Sequence, residues 1–232
     1  MAGGLDMAIR LYKLFFPVCL LVVVMGLVCL PSFALSDNNY LVTTSVINTA
    51  FQDEARAHQT YIAYSRKAVE ENYPGIAKLF MALATSESIH AANFKRILAD
   101  IGVAVPEVPE ITVKVGSIRT NLKKATQVEL DEIDKKYPGI IEKIKSENHE
   151  EAMRFITYAW ESEKQHRDLM KEIKSGTGIF FNLLARKIED TDADFVVCKN
   201  CGSTLMELPR ESCPICGKSV ALYKKIEAVD RR

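Results

Sequence analysis

Residues 87–90 read Glu87-Ser88-Ile89-His90, and residues 163–166 read Glu163-Lys164-Gln165-His166. Both are Glu-x-x-His. A spacing of three puts a carboxylate and an imidazole about one turn apart on one helix face. A glutamate on a helix is ordinarily a solvated charge, and one such pair alone carries little. Here both pairs lie on apolar stripes, where an ionised side chain is costly unless it is paired or metal-bound. The first stripe runs Ile76, Leu79, Phe80, Leu83, Glu87, His90, Phe94. The second runs Ala152, Phe155, Ile156, Ala159, Glu163, His166, Met170, Ile173.

Working outward, each pair has a partner carboxylate. Glu54 precedes Glu87, and Glu129 precedes Glu163, by intervals that differ by a single position. Glu71-Asn72 precedes Glu87 by the interval at which Glu147-Asn148 precedes Glu163. The pattern reads as a duplicated helical hairpin. Two helices with Glu-x-x-His, facing two helices that each add a Glu, make the di-iron carboxylate site of a four-helix bundle.

The rest of the bundle follows from periodicity and punctuation. A first helix starts near Thr43–Ser45, both acceptable N-caps. Its inward stripe is Ile47, Ala50, Phe51, Glu54, His58, Tyr61, Ser65. Tyr61 reads equally as an aromatic core filler and as a hydrogen-bond donor to a metal-bound carboxylate, and His58 as a packing or supporting residue. Tyr73-Pro74-Gly75 ends this helix, and Pro74 opens the second, which Gly102 stops. Val103–Pro109 is the crossover between the hairpins. The third helix begins near Ser117 with Ile118, Leu122, Ala125, Glu129 and Glu132 inward, so that two carboxylates share the metal-facing side. Tyr137-Pro138-Gly139 is expected to kink or interrupt it, after which it continues through Ile140, Ile141 and Ile144. The fourth starts after Asn148 and ends near Ser175-Gly176. Trp160, the single tryptophan, reads as packing.

The C-terminal stretch, 193–232, changes character. Cys198-Lys199-Asn200-Cys201-Gly202 and Cys213-Pro214-Ile215-Cys216-Gly217 are two Cys-x-x-Cys-Gly knuckles with eleven residues between the pairs. Each glycine permits a tight turn in which backbone N–H groups point at sulfur. Four thiolates make a tetrahedral site for iron or zinc. The competing reading, two disulfides, needs an oxidising compartment.

Composition bounds the remainder. The 232 residues allow one medium and one small domain. Thirty basic residues balance thirty acidic ones, which gives no electrostatic case for nucleic acid. Residues 14–35, LFFPVCLLVVVMGLVCLPSFAL, are almost wholly apolar and follow Arg10 and Lys13. With Ser32-Phe33-Ala34 they fit a signal peptide cleaved after Ala34 and an exported, extracytoplasmic protein. The alternative is a membrane anchor over 14–35. The domain reading is therefore 1–35 signal or anchor, 44–176 four-helix bundle, 177–192 linker, and 193–232 the small cysteine domain.

Taken together, residues 44–227 resemble rubrerythrin. The resemblance rests on Glu54, Glu87-x-x-His90, Glu129-x-x-Glu132 followed by Tyr137-Pro138, Glu163-x-x-His166, and the two knuckles. It implies a mainly α, ferritin-like four-helix bundle with a small C-terminal rubredoxin-like or zinc-ribbon β domain. It implies two non-haem irons in the bundle and one iron, or zinc, on the four cysteines. By this resemblance Glu87 and Glu163 bridge the irons, Glu54 serves one of them with Glu132 or His90, and Glu129 and His166 serve the other. Glu132 and His90 exchange when the site is reduced, and Tyr61 and Tyr137 hydrogen-bond ligand carboxylates. The implied activity is reduction of hydrogen peroxide to water, with electrons from a donor protein. The implied assembly is a homodimer in which one chain's cysteine domain serves the other's bundle. Alternatives are a ferroxidase or iron-storage protein, and a non-enzymatic zinc-ribbon metal-binding module. Two departures stand out. Ser203 follows the first knuckle where an aromatic residue is common, which implies altered solvent access and favours zinc. The N-terminal leader is unusual for a mostly cytoplasmic family.

Overall fold

The structure, a computed structural model, describes residues 40–105, 107–174 and 194–227. Five α-helices run α1 (Leu41–Glu70), α2 (Pro74–Asp100), α3 (Ile118–Asp131), α4 (Tyr137–Ile144) and α5 (Glu150–Lys174). A π-helical turn, Glu132–Lys136, joins α3 to α4, so these two form one bundle member. The leader reading, the linker reading over 177–192 and the end of α5 fall partly or wholly outside the described residues. Among the described residues no helix is long and apolar enough to cross a membrane.

Helix starts and stops follow local chemistry. Pro74 sits in the first turn of α2, where its missing N–H costs nothing. Ser117 caps α3 by accepting from the Thr120 N–H. The start of α1 differs from expectation: it begins at Leu41, ahead of Thr43–Ser45, and Thr43 is buried. A distant carboxylate supplies the cap. Glu147 accepts from the Val42 and Thr43 N–H groups at 2.9 and 2.7 Å. Glu71 does the same for the other hairpin, accepting from the Ile118 N–H at 3.2 Å. The residues that follow, Asn72 and Asn148, are the two non-glycine residues with positive φ among those described, at 62° and 51°. The repeated Glu-Asn pair thus does one job twice: the asparagine turns the chain in a left-handed conformation it tolerates, and the glutamate caps a helix of the opposite hairpin.

Tyr137-Pro138-Gly139 does not interrupt the third bundle member. The Tyr137 N–H bonds to the Glu132 carbonyl, five residues back, which is the signature of a π turn. Helix continues on both sides, so the missing Pro138 N–H is absorbed without a break. Trp160 on α5 donates its indole N–H to the Ile133 carbonyl inside this turn at 3.0 Å.

The core lies in two clusters, on either side of the polar centre. One is built around Phe80, Leu79, Leu83 and Tyr64, the other around Phe94, Ile97, Tyr137 and Ile156. The cysteine domain carries a three-stranded antiparallel sheet with β1 (Val196–Cys198) in the middle, flanked by β2 (Thr204–Leu205) and β3 (Tyr223–Lys225). Phe195, Val197 and Ile226 belong to the bundle's first core cluster, so this domain packs on the bundle of its own chain. Ser203 is fully buried, with its hydroxyl 2.9 Å from that of Tyr223. Tyr223, distant in sequence, supplies an aromatic cover to the cysteine cluster.

Candidate metal centres

Six side chains converge at the bundle centre. Glu54 comes from α1, Glu87 and His90 from α2, Glu129 from α3, and Glu163 and His166 from α5; all are buried. They form two overlapping groups: Glu54, Glu87, His90, Glu163 and Glu87, Glu129, Glu163, His166. Glu87 and Glu163 are common to both. Within each group the donor atoms lie within 4.8 Å of one another. His90 Nδ1 is 3.0 Å from Glu87, 3.2 Å from Glu163 and 3.7 Å from Glu54. His166 Nδ1 is 2.9 Å from Glu163, 3.4 Å from Glu87 and 3.7 Å from Glu129. The two lists are mirror versions of one arrangement.

The tyrosines repeat the symmetry. The Tyr61 hydroxyl donates to Glu129 at 2.7 Å, and that of Tyr137 donates to Glu54 at 2.6 Å. Tyr61 follows Glu54 by seven positions, about two turns. Tyr137 follows Glu129 by eight, which in a regular α-helix overshoots by roughly 80°. The π turn takes up the extra residue and brings Tyr137 back to the inner face.

Four carboxylates this deep cannot all stay ionised unaided. Burial, with the neighbouring Glu163 charge, pushes Glu129 up to about 8. Burial would also raise Glu54, but the Lys136 cation and His90 outweigh it and hold Glu54 well below the usual carboxylate range. Burial would lower both imidazoles; the surrounding carboxylates overcome this and hold His90 and His166 well above their ordinary value. Glu54 Oε2, Glu129 Oε2 and Glu163 Oε1 are buried and make no hydrogen bond. Such oxygens are costly unless a cation meets them. Carboxylate and imidazole donors in this number fit two hard-to-borderline divalent ions, iron included.

Glu132 is the exception among the expected ligands. It joins neither group, and bonds instead to Lys136 Nζ at 2.7 Å. His58 bonds to the Ala84 carbonyl at 2.7 Å and stays off the cluster.

The four cysteines gather as the second centre. Cys198, Cys201, Cys213 and Cys216 are free thiols in one group, with Sγ separations of 3.8 Å for Cys198–Cys216 and 3.5 Å for Cys201–Cys213. The Gly202 and Gly217 N–H groups bond to the Cys198 and Cys213 carbonyls, closing both knuckles, and both glycines have positive φ. The Cys201 thiol hydrogen bond pulls Cys198 down to about 5. Such a thiol set suits a metal and not a pair of disulfides.

The two centres touch. The Cys201 carbonyl lies 3.2 Å from His90 Nε2, and Thr204 Oγ1 lies 3.2 Å from His166 Nε2. These contacts leave each Nδ1 facing the carboxylates. The Gly202 carbonyl accepts from Ser86 at 2.8 Å, Ser162 at 2.9 Å and Thr204 at 2.8 Å. Ser86 and Ser162 escaped the sequence reading although the signal was present: the repeated motif is Ser-Glu-x-x-His in both halves.

Fold and site together define a ferritin-like di-iron carboxylate protein with an added four-cysteine iron or zinc domain. The rubrerythrin family model matches residues 45–174, and the chain belongs to that family. Rubrerythrin-2 of Clostridium acetobutylicum is 32% identical over 177 residues, covering 76% of this chain and 92% of that protein. Nigerythrin of Nitratidesulfovibrio vulgaris is 27% identical over 175 residues, covering 75% and 81%. The solved structure of fully reduced, all-ferrous nigerythrin matches with a TM-score of 0.66 at 26% identity, over 79% of this chain and 86% of that one. Desulfovibrio desulfuricans bacterioferritin, with a TM-score of 0.60 at 21% identity over 66% of this chain and 89% of that one, shares the fold. Members of the rubrerythrin family are oxidoreductases.

Proposed function

We propose that this protein reduces hydrogen peroxide to water at the bundle centre, with electrons arriving through an iron held by the four cysteines. The observation that carries the reading is the contact between the Cys201 carbonyl and His90 Nε2, 3.2 Å long, which joins a side chain of one centre to a backbone group of the other. A storage protein has no use for that connection.

Two ferrous ions would supply together the two electrons that breaking one O–O bond consumes, and a four-thiolate iron would pass electrons singly. Glu54, Glu87, His90 and Glu163 would hold one ion, and Glu87, Glu129, Glu163 and His166 the other. Tyr61 and Tyr137 hold Glu129 and Glu54 in place by donating to one oxygen of each carboxylate. Ser86, Ser162 and Thr204 anchor the Gly202 carbonyl, and so keep the knuckle against both histidines. A cavity of about 300 Å³ is lined in part by Tyr61, which bonds to Glu129, and by Arg56, Lys124, Glu132 and Lys136. It is large enough for a small neutral oxidant. By resemblance the reading extends to a donor protein and a homodimer. The apolar leader, for its part, supports export.

The test is a pair of measurements on the purified protein. Reduced protein mixed with stoichiometric peroxide should regain its visible thiolate-to-iron colour much faster than in air-saturated buffer. Replacing Cys198 and Cys201 by serine should abolish peroxide turnover. Retention of Fe²⁺ oxidation by O₂ as the sole activity of the intact protein would favour the ferroxidase reading. Absence of any visible band would put zinc on the cysteines and end the electron-transfer mechanism.

A further inference from the structure

Lys136 occupies an unusual place. The stretch from Glu129 to Glu147 is one position longer than its counterpart from Glu54 to Glu71, and the additional residue falls within the π turn that ends at Lys136. Ala57 follows Glu54 by three, as Glu132 follows Glu129. The α1 side of the cluster is therefore complete with no carboxylate at that position. Glu132 is surplus to a symmetric six-ligand set, and it stands apart: its side chain is 13% exposed, against 0–2% for Glu54, Glu87, Glu129 and Glu163.

What holds it apart is visible. Lys136 Nζ lies 2.7 Å from Glu132, 3.4 Å from Asp53 and 3.5 Å from Glu54. It also lies over the Tyr137 ring, 5.6 Å from its centroid. The ammonium is thus fixed by three carboxylates and an aromatic face, at the junction between cavity and cluster.

We infer that Lys136 is a positioning residue that parks Glu132 against the cavity wall and sets how readily this fifth carboxylate enters the ligand set. The inference rests on the reading of the cluster as a metal site. Entry of Glu132 requires its ion pair to open, and the ammonium left behind still faces Glu54 and Asp53. A charge-assisted hydrogen bond of this kind contributes about 1.5–3 kcal/mol, so its loss shifts the balance by at least about tenfold.

The test is a Co²⁺ titration of the metal-free full chain, with one equivalent of Zn²⁺ first added to occupy the cysteines. Two quantities are read: affinity and the intensity of the d–d bands, which fall as coordination number rises. Lys136→Met should bind Co²⁺ about tenfold more tightly and with weaker bands, and Lys136→Arg should resemble the wild type. Removing a cation beside a metal site tightens binding by charge alone, so the double variant Glu132→Gln, Lys136→Met decides the matter. Affinity and bands equal to those of Glu132→Gln alone support the inference. A gain that persists undiminished in the double variant overturns it, as does a Lys136→Met protein indistinguishable from the wild type. Failure of the wild-type bundle to bind Co²⁺ overturns the metal-site reading itself, and is seen before any variant is made.

Discussion

Gly202 lies so close against His90 that a methyl group on its α-carbon would sit 2.3 Å from the imidazole Nε2 and 2.6 Å from Ser86 Oγ. The glycine of one metal knuckle is thus the seat on which the other centre's histidine rests. Its φ of +81° adds a second reason for glycine.

Gly202→Ala should separate the two centres without emptying either. Overpacking costs about 1–3 kcal/mol, and the left-handed backbone adds about 1–2 kcal/mol. The cysteine centre should keep its metal and colour. Its recovery of colour after peroxide addition should slow by at least about tenfold, and amide exchange should rise around Ser86 and Ser162. Recovery at the wild-type rate would mean that the contact at His90 carries no electrons.

Tyr137→Phe removes the 2.6 Å hydrogen bond to Glu54 and leaves the ring's packing in place. Loss of a supporting hydrogen bond of this kind weakens metal binding about 10–100-fold. Tyr61→Phe should do the same through Glu129. Titration with Fe²⁺ under anaerobic conditions reads both.

Metal-free protein should lose stability as pH rises from about 5.5 to 8.5. Glu129 is raised to about 8 in the fold, so it binds more protons folded than unfolded between its ordinary value and that figure. Its contribution is present at low pH and is lost as pH climbs through about 8. His90 and His166, both raised, act in the same direction. Glu54 is depressed, so its contribution is lost only on acidification below the ordinary carboxylate range, outside this window. The Cys198 thiol, pulled down to about 5, acts in the opposite direction within it, and the raised groups Glu129, His90 and His166 outnumber it. Metal-loaded protein should show the reverse trend, because ligands must give up their protons to bind. Thermal unfolding with and without chelator at the two ends of the range checks both signs. A chelated protein that grows more stable with pH would contradict the assignment.

Trp160→Phe takes the indole N–H from the Ile133 carbonyl inside the π turn. The expected cost is about 1 kcal/mol. The sharper readout is at the centre: if the indole helps hold the turn, Tyr137 loses its aim at Glu54 and metal affinity falls with stability. An unchanged affinity would confine Trp160 to packing.

Much of the centre was legible because a buried charge is conspicuous. Glutamates and histidines on apolar stripes at helical spacing could be read as a cluster without any coordinates, and the four cysteines announced their site by spacing alone. Even the π turn left a trace, in an interval from Glu129 to Glu163 that exceeds the one from Glu54 to Glu87 by a single position. Its meaning was missed, since one inserted residue does not say whether it makes a kink, a loop or a wider turn.

The sequence by itself determined the bundle, its two-fold repeat, the six side chains that gather at the bundle centre and the four-thiolate domain. All of these follow from the period of a helix and the cost of burying charge, which act along the chain. Only the tertiary structure decided that Glu132 turns to Lys136, that Glu71 and Glu147 cap the opposite hairpins, that Tyr223 covers Ser203, and that Gly202 meets His90. Each is a contact between groups whose alternatives are nearly equal in local energy. The choice among them is made by what lies across the interface, which no stretch of sequence contains.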